Sequence, residues 1–140
     1  AGTLSGNPLA MAAGTATLDA LAADDYAAYA GLEATSAALE AGLRHAAAEA
    51  GCPIFITRVG SMLGVFFVEE DGQPVTNYAE ATATRTDRYA AFFGAMLDAG
   101  VILAPAAFEA WFVSTAHDES CITRTLDAAE KAFRAAAAIG

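Results

Sequence analysis

The sequence is poor in the residue types that most often mark a site. It has only two cysteines and a single lysine, Lys131, among 140 residues. Its seven basic residues do not cluster, and the formal net charge is −10. Nucleic acids and anionic membrane surfaces attract clustered basic residues, so both are poor partners for this chain.

The cysteines and histidines also lack the spacing of a metal or disulfide site. Cys52 and Cys121 form no Cys-x-x-Cys motif, and neither His45 nor His117 stands at a zinc-ligand spacing from them. The sequence therefore predicts reduced thiols, as in a cytosolic protein, and no metal site. No signal peptide is recognisable. A membrane span needs about eighteen consecutive apolar residues, and no apolar run in the sequence approaches that length.

What the sequence does contain is an alternation of helical and extended patterns. Alanine supplies much of the 56% hydrophobic content, which favours helices. Apolar spacing predicts four helices, over residues 8–22, 25–50, 87–99 and 118–138. Segments rich in β-branched and aromatic residues predict four strands, over residues 54–59, 62–68, 101–104 and 111–114. This order predicts an α/β (α+β) domain with a three- to four-stranded, largely antiparallel sheet and helices on one face.

Several residues mark the boundaries of these elements. Gly51 suits a helix C-terminus, and Thr86 and Asp118 suit N-caps. Between the first two strands, Gly60 and Ser61 predict a bulge or bend. Residues 75–85 show no period and predict a loop. The nearly continuous apolar run 62–68 is typical of a strand covered on both faces or lying at an interface.

The N-terminus is a small polar loop followed by a helix start. Asn7 suits the N-cap and Pro8 the first helical position. Exposed N–H groups, the hydroxyls of Thr3 and Ser5 and the positive end of a helix suit an anion such as phosphate. A helix start without a ligand fits the same residues.

The order of residues in this loop resembles that of a known family. Gly2-Thr3-Leu4-Ser5-Gly6-Asn7-Pro8-Leu9-Ala10-Met11 is similar to a stretch found in the aminomutases of the class III pyridoxal-phosphate (PLP) aminotransferase family. Further segments resemble the same family in order and spacing, at residues 77–79, 100–105, 108–114 and 116–117. The resemblance extends from residue 1 to about residue 135.

The resemblance implies a position in a larger protein. Residues 1–22 correspond to the cofactor loop and the helix that links it to the large domain, and residues 23–140 to the C-terminal small domain of a fold-type I PLP enzyme. The family's Schiff-base lysine lies upstream of the loop, and Lys131 is predicted on the polar face of the last helix. The chain thus resembles the C-terminal third, starting just after the lysine-bearing segment, with no catalytic residue of its own.

The resemblance also implies roles for three residues. Gly2 and Thr3 correspond to a pair that reaches across a homodimer interface to the PLP phosphate of the neighbouring subunit. Glu109 lies between two apolar segments, where the residues alone favour an arginine partner. The resemblance instead implies that Glu109 shapes substrate choice, since its carboxylate repels an α-carboxylate and favours an amino-aldehyde.

The implied activity is that of an isomerase. It converts glutamate-1-semialdehyde to 5-aminolevulinate in porphyrin (tetrapyrrole) biosynthesis, using PLP and its pyridoxamine form in a cytoplasmic homodimer. Two alternatives are another class III aminotransferase and a non-catalytic assembly or binding domain. The residues leave the roles of Arg58, Tyr78 and His117 open.

Overall fold

The computed structural model describes residues 2–140, and within them the chain forms four helices and three strands. The helices are α1 Pro8–Glu49, α2 Tyr78–Thr82, α3 Thr86–Asp98 and α4 Glu119–Ala137. The strands are β1 Ile54–Val59, β2 Met62–Phe67 and β3 Trp111–Phe112.

The strands form one antiparallel sheet in the order β1-β2-β3. Val59 pairs with Met62, so Gly60 and Ser61 make a two-residue hairpin turn. Gly60 has φ +56, a left-handed conformation that glycine adopts at little cost. The predicted bulge or bend at this position is therefore a tight turn.

The helices cover one face of this sheet. Alternate strand residues point towards them and are buried: Ile54, Ile56, Leu63, Val65, Phe67 and Trp111. Phe92 of α3 is fully buried, with its ring centroid 5.3 Å from that of Phe67 and 4.6 Å from that of Phe133 of α4. The predicted fold, an antiparallel sheet with helices on one face, is confirmed with three strands.

The two predicted N-terminal helices are joined end to end in α1. Asn7 caps α1 as predicted, since its side chain accepts from the Ala10 N–H at 2.9 Å. At residues 23–26 the backbone leaves the helical conformation, and Asp24, Asp25 and Tyr26 have φ of 51, 54 and 61. We call residues 2–22 the arm and residues 27–140 the body.

The predicted strand at residues 101–104 is wrong. The segment is irregular, because its backbone N–H and carbonyl groups form hydrogen bonds with other parts of the chain and not with a neighbouring strand. The Val101 N–H donates to the Met96 carbonyl at the end of α3, and the Ala104 carbonyl accepts from the Tyr89 hydroxyl. The strand at 111–114 is shorter than predicted, although the Val113 N–H still donates to the Ser61 carbonyl.

The predicted loop at 75–85 contains the short helix α2. Asn77 accepts from the Glu80 N–H at 3.0 Å, and Glu80 accepts from the Thr76 N–H at 2.7 Å. These two side-chain bonds fix a single helical turn, and its residues show no apolar period. The predicted cap at Thr86 is also wrong, since Arg85 takes the cap position without a side-chain bond.

Candidate functional site

The N-terminal loop is a tight turn held by its own backbone. The Ser5 N–H donates to the Gly2 carbonyl at 2.8 Å, and the Asn7 side-chain amide donates to the Leu4 carbonyl at 2.7 Å. Gly6 has φ +79, which a larger residue adopts only with strain. A Cβ atom on Gly2 would lie 2.9 Å from the Ser5 hydroxyl oxygen. The glycines thus keep the turn narrow.

Thr3 stands at the outside of this turn. It is exposed, and among residues 2–140 neither its N–H nor its hydroxyl has a hydrogen-bond partner. Further along the chain, α1 begins at Pro8 with the positive end of its dipole. Free donors next to a helix N-terminus fit a phosphate group, so Gly2 and Thr3 are suited to the ligand predicted for them.

Glu109 is the candidate for substrate choice. It lies on the loop before β3, where its N–H donates to the Ala106 carbonyl at 3.1 Å. Its carboxylate is exposed, and no lysine or arginine within residues 2–140 forms an ion pair with it. Burial raises the pKa of the Tyr89 hydroxyl, and the Glu109 carboxylate adds to this rise. The charge of Glu109 is thus left without a partner in the described part of the chain.

A groove runs beside Glu109 on the side of the sheet that the helices do not cover. Its volume is about 160 Å³, and Thr57, Gly64, Phe66 and Phe108 contribute to its lining. A Cβ atom on Gly64 would lie 2.8 Å from the Thr57 hydroxyl oxygen, so glycine keeps the floor open. This groove was not predicted from the sequence. The signal that points to it is that apolar residues occur on both faces of the strands, at the positions facing the helices and at those facing away.

Arg58 has two carboxylate partners on α1. It pairs with Glu33 at 2.6 Å and with Glu40 at 2.7 Å, and Arg44 also pairs with Glu40, at 2.8 Å. Burial raises the pKa of Glu40, but hydrogen bonds from Arg58 and Arg44 outweigh this and leave it below its usual range. This network ties β1 to α1. Arg58 thus pairs with acidic residues, and it also lines the groove beside Glu109.

The remaining polar candidates lie outside the groove. The Nδ1 atom of His117 accepts from the Ser114 N–H at 3.0 Å and so supports the turn before α4. Tyr78 opens α2 and is 82% exposed. Lys131 is exposed on α4, as predicted. Among the described residues, no three acidic, histidine or cysteine side chains converge to hold a metal, and no helix is long and apolar enough to cross a membrane.

The structure therefore brings Glu109 together with the groove but leaves Gly2 and Thr3 apart from both. Every residue from 8 to 20 is exposed, so this stretch of the arm does not pack against the body. The two candidate sites are separate surfaces of this chain.

Two solved structures, an ω-transaminase and a protein in its PLP internal aldimine form, share this fold. An ω-transaminase from Sphaerobacter thermophilus matches 94% of this chain with a TM-score of 0.75, at 22% identity and over 28% of its own chain. The PLP internal aldimine form of the FumI protein of Sphingopyxis sp. MTA144 matches 73% of this chain with a TM-score of 0.56, at 29% identity and over 21% of its own chain. The fold is thus one that occurs as part of these two longer proteins.

The relatives found by sequence comparison share one name. The chain is 54% identical over 134 residues to the glutamate-1-semialdehyde 2,1-aminomutase of Desulforudis audaxviator, covering 96% of this chain and 30% of that protein. It is 53% identical over 139 residues to that of Anaeromyxobacter dehalogenans, covering 99% of this chain and 31% of that protein. Along nearly its whole length the chain is therefore homologous to part of glutamate-1-semialdehyde 2,1-aminomutase. It spans about 30% of the length of the curated relatives it matches. No protein-family model matches the chain.

Proposed function

We propose that the chain is the C-terminal part of a glutamate-1-semialdehyde 2,1-aminomutase. The full enzyme would convert glutamate-1-semialdehyde to 5-aminolevulinate, a step in porphyrin biosynthesis. The observation that carries this proposal is an identity of 50–54% to proteins of that name over nearly all of the chain. The proposed domain boundary separates residues 1–22, the cofactor loop and linking helix, from the small domain 23–140.

The proposed cofactor is pyridoxal phosphate, in its aldehyde and pyridoxamine forms. When bound, it supplies the electron sink that amino-group transfer requires. This chain's own contribution is the turn at Gly2 and Thr3, which presents an N–H and a hydroxyl next to a helix N-terminus. In the proposed cytoplasmic homodimer this turn binds the cofactor phosphate of the neighbouring subunit. The exposure of the arm supports a role away from the body of its own chain.

Glu109 is proposed to select the substrate by charge. An unpaired carboxylate beside a groove repels a second carboxylate and attracts an ammonium group. This favours an amino-aldehyde, whose carbon next to the amino group carries no carboxylate, over an α-amino acid. The same charge argues against the alternative function, that of another class III aminotransferase that binds α-amino acids.

The proposal predicts that Glu109→Arg reverses this selection. In the full-length protein, we expect kcat/KM for 5-aminolevulinate formation to fall about 100-fold, because a positive charge that repels the ammonium group of the substrate replaces a negative charge that attracts it. Turnover of an α-amino acid should rise relative to 5-aminolevulinate formation. The measurement is steady-state kinetics with both substrates, and Glu70→Arg, on an exposed turn of the body, is the matched control.

Two results would each overturn a part of this proposal. One is a full-length wild-type protein that binds PLP but forms no 5-aminolevulinate. The other is a Glu109→Arg variant with the kinetics of Glu70→Arg, which would leave the aminomutase assignment and remove Glu109 from substrate choice. The chain alone, with no lysine in the position of the family's Schiff base, should show no absorption band of bound cofactor.

A further inference from the structure

Tyr89 is a buried tyrosine whose ring packs with other aromatic rings of the core. It belongs to α3, is 3% exposed and meets Phe67 edge-on, with ring centroids 6.1 Å apart. A phenylalanine would fill the same space, so the hydroxyl contributes little to packing. Because a buried hydroxyl costs free energy unless it is hydrogen-bonded, its partners indicate what the hydroxyl does.

The two partners of this hydroxyl lie on either side of Glu109 in the chain. The Tyr89 hydroxyl donates to the Ala104 carbonyl at 2.5 Å and accepts from the Trp111 indole N–H at 3.4 Å. Trp111 is itself fixed, since it belongs to β3 and its ring stacks on that of Phe92 with centroids 6.2 Å apart. One hydroxyl of α3 thus joins both ends of the loop that carries Glu109.

The loop that carries Glu109 buries little surface of its own. No residue from 101 to 110 is buried, although Ala104 and Ala107 pack partly against the core. The Glu109 N–H donates to the Ala106 carbonyl at 3.1 Å, which closes a turn within the loop but does not tie it to the body. Segments with few buried contacts open easily, so the bonds at the ends of the loop decide where Glu109 stands.

The Tyr89 hydroxyl is suited to this task because it stays a donor. Burial raises the pKa of the hydroxyl by more than the hydrogen bond from Trp111 lowers it, and the charge of Glu109 adds to the rise. The hydroxyl therefore keeps its proton at neutral pH and continues to donate to the Ala104 carbonyl.

We propose that Tyr89 is a positioning residue for substrate selection, whose hydroxyl holds the loop and so fixes the Glu109 carboxylate beside the groove. The inference rests on the proposed function, in which Glu109 selects the substrate by charge. Tyr89 is buried, so it acts on the substrate only through Glu109. Because the energy of a charge depends on its distance from the substrate, a carboxylate on a loosened loop distinguishes two substrates less well than a fixed one.

The first test is a double-mutant cycle in the full-length protein. Its readout is kcat/KM for 5-aminolevulinate formation divided by kcat/KM for an α-amino acid. We expect Tyr89→Phe to lower this ratio about 10-fold, because the loop loses its bond to α3. In a Glu109→Gln background the same substitution should change the ratio by less than about 2-fold, since no charge is left to position.

A purely structural role of the hydroxyl gives a different result in this cycle. Tyr89→Phe would then have the same effect on the ratio with and without the Glu109 charge, and equal effects, including none in either background, would overturn the proposal. Thr84→Val is the matched control, because it also removes a hydroxyl that donates to a backbone carbonyl, that of Ala81 at 2.7 Å. It lies between α2 and α3 and should leave the ratio unchanged.

The second test measures the loop without using activity. Hydrogen–deuterium exchange of the full-length protein, read by mass spectrometry in peptides that span residues 101–111, should be about 10-fold faster in Tyr89→Phe than in wild type and unchanged in Thr84→Val. Unchanged exchange in Tyr89→Phe would overturn the proposal whatever the kinetics show. A protein that forms no 5-aminolevulinate but whose loop exchanges faster in Tyr89→Phe would refute the proposed function and support the role of Tyr89 in holding the loop.

Discussion

The two halves of α1 have the same alanine-rich composition and opposite surroundings. No residue of α1 before Ser36 is buried, whereas Leu39, Leu43, Ala46 and Ala47 in its last turns are buried against the body. Helix propensity therefore forms the arm, and packing stabilises the second half. The comparison shows that a helical pattern predicts a helix but not the partner that the helix packs against.

The junction between the halves is a local departure from helical geometry. Asp24, Asp25 and Tyr26 are exposed and left-handed, a conformation that costs about 1–2 kcal/mol per residue for L-amino acids. The body gains little from this junction, because none of the three is buried. We therefore expect the arm to take its orientation from whatever it binds.

Removal of a core ring should separate the two regions most clearly. Phe92→Ala deletes a fully buried ring that contacts Phe67 and Phe133, so we expect the free energy of unfolding to fall by about 3–5 kcal/mol. The matched variant in the arm, Leu9→Ala, should change it by less than about 0.5 kcal/mol. Urea denaturation of the chain measures both. Similar losses for the two variants would show that the arm packs with the body.

The same glycine substitution should have opposite results in the two regions. A Cβ atom on Gly42 would lie 2.5 Å from the Leu126 side chain, whereas one on Gly14 would meet nothing within 4 Å. Gly42→Ala should therefore destabilise the body by about 1–3 kcal/mol through overpacking between α1 and α4.

Gly14→Ala should instead raise the helical circular-dichroism signal without moving the main unfolding transition, because alanine favours a helix by about 0.5–1 kcal/mol over glycine. A stabilised Gly42→Ala variant would show that Leu126 turns aside at no cost. A shift of the main unfolding transition by Gly14→Ala would show that the arm unfolds cooperatively with the body.

The ion-pair network of the body should give the smallest effect and a pH signature. Glu40→Gln removes the carboxylate that Arg58 and Arg44 share, and because the pairs are partly exposed we expect a loss of about 0.5–1 kcal/mol at pH 7. The folded-state pKa of Glu40 is lowered from 4.5, so its contribution is present above that value and is lost as the pH falls through the folded value.

The difference between wild type and Glu40→Gln should therefore shrink as the pH falls below the ordinary value of 4.5. Urea denaturation at several pH values measures it. Glu130→Gln, on an exposed α4 pair of 3.8 Å, is the control and should show little change at any pH. A constant difference for Glu40→Gln down to low pH would contradict the lowered pKa.

The sequence predicted the elements whose signals are local. Asn7 and Asp118 cap α1 and α4 as predicted, and Gly51 takes the left-handed conformation just after α1. The errors at 101–104 and at α2 arise where hydrogen bonds, non-local at the first and from side chains at the second, outweigh composition. The Tyr89 hydroxyl, far away in sequence, holds the Ala104 carbonyl outside the sheet. No propensity scale carries this information.

The sequence predicted which residues are candidates for the site but not how they are arranged in space. Glu109 stands out in sequence as a carboxylate between apolar segments, and the order of residues at Gly2 and Thr3 carries the family resemblance. That Glu109 borders a groove floored by Gly64, and that Arg58 is held by two carboxylates of α1, follows only from the pairing of strands and the packing of helices.

The sequence by itself thus determined the long helices, the hairpin strands, the caps of α1 and α4 and the homology to part of an aminomutase, because each depends on residues close together in the chain. Only the tertiary structure decided which half of α1 is buried, which face of the sheet is open and which charges remain unpaired. These properties depend on the distances between segments that the fold brings together, and a sequence pattern specifies those distances only through the fold.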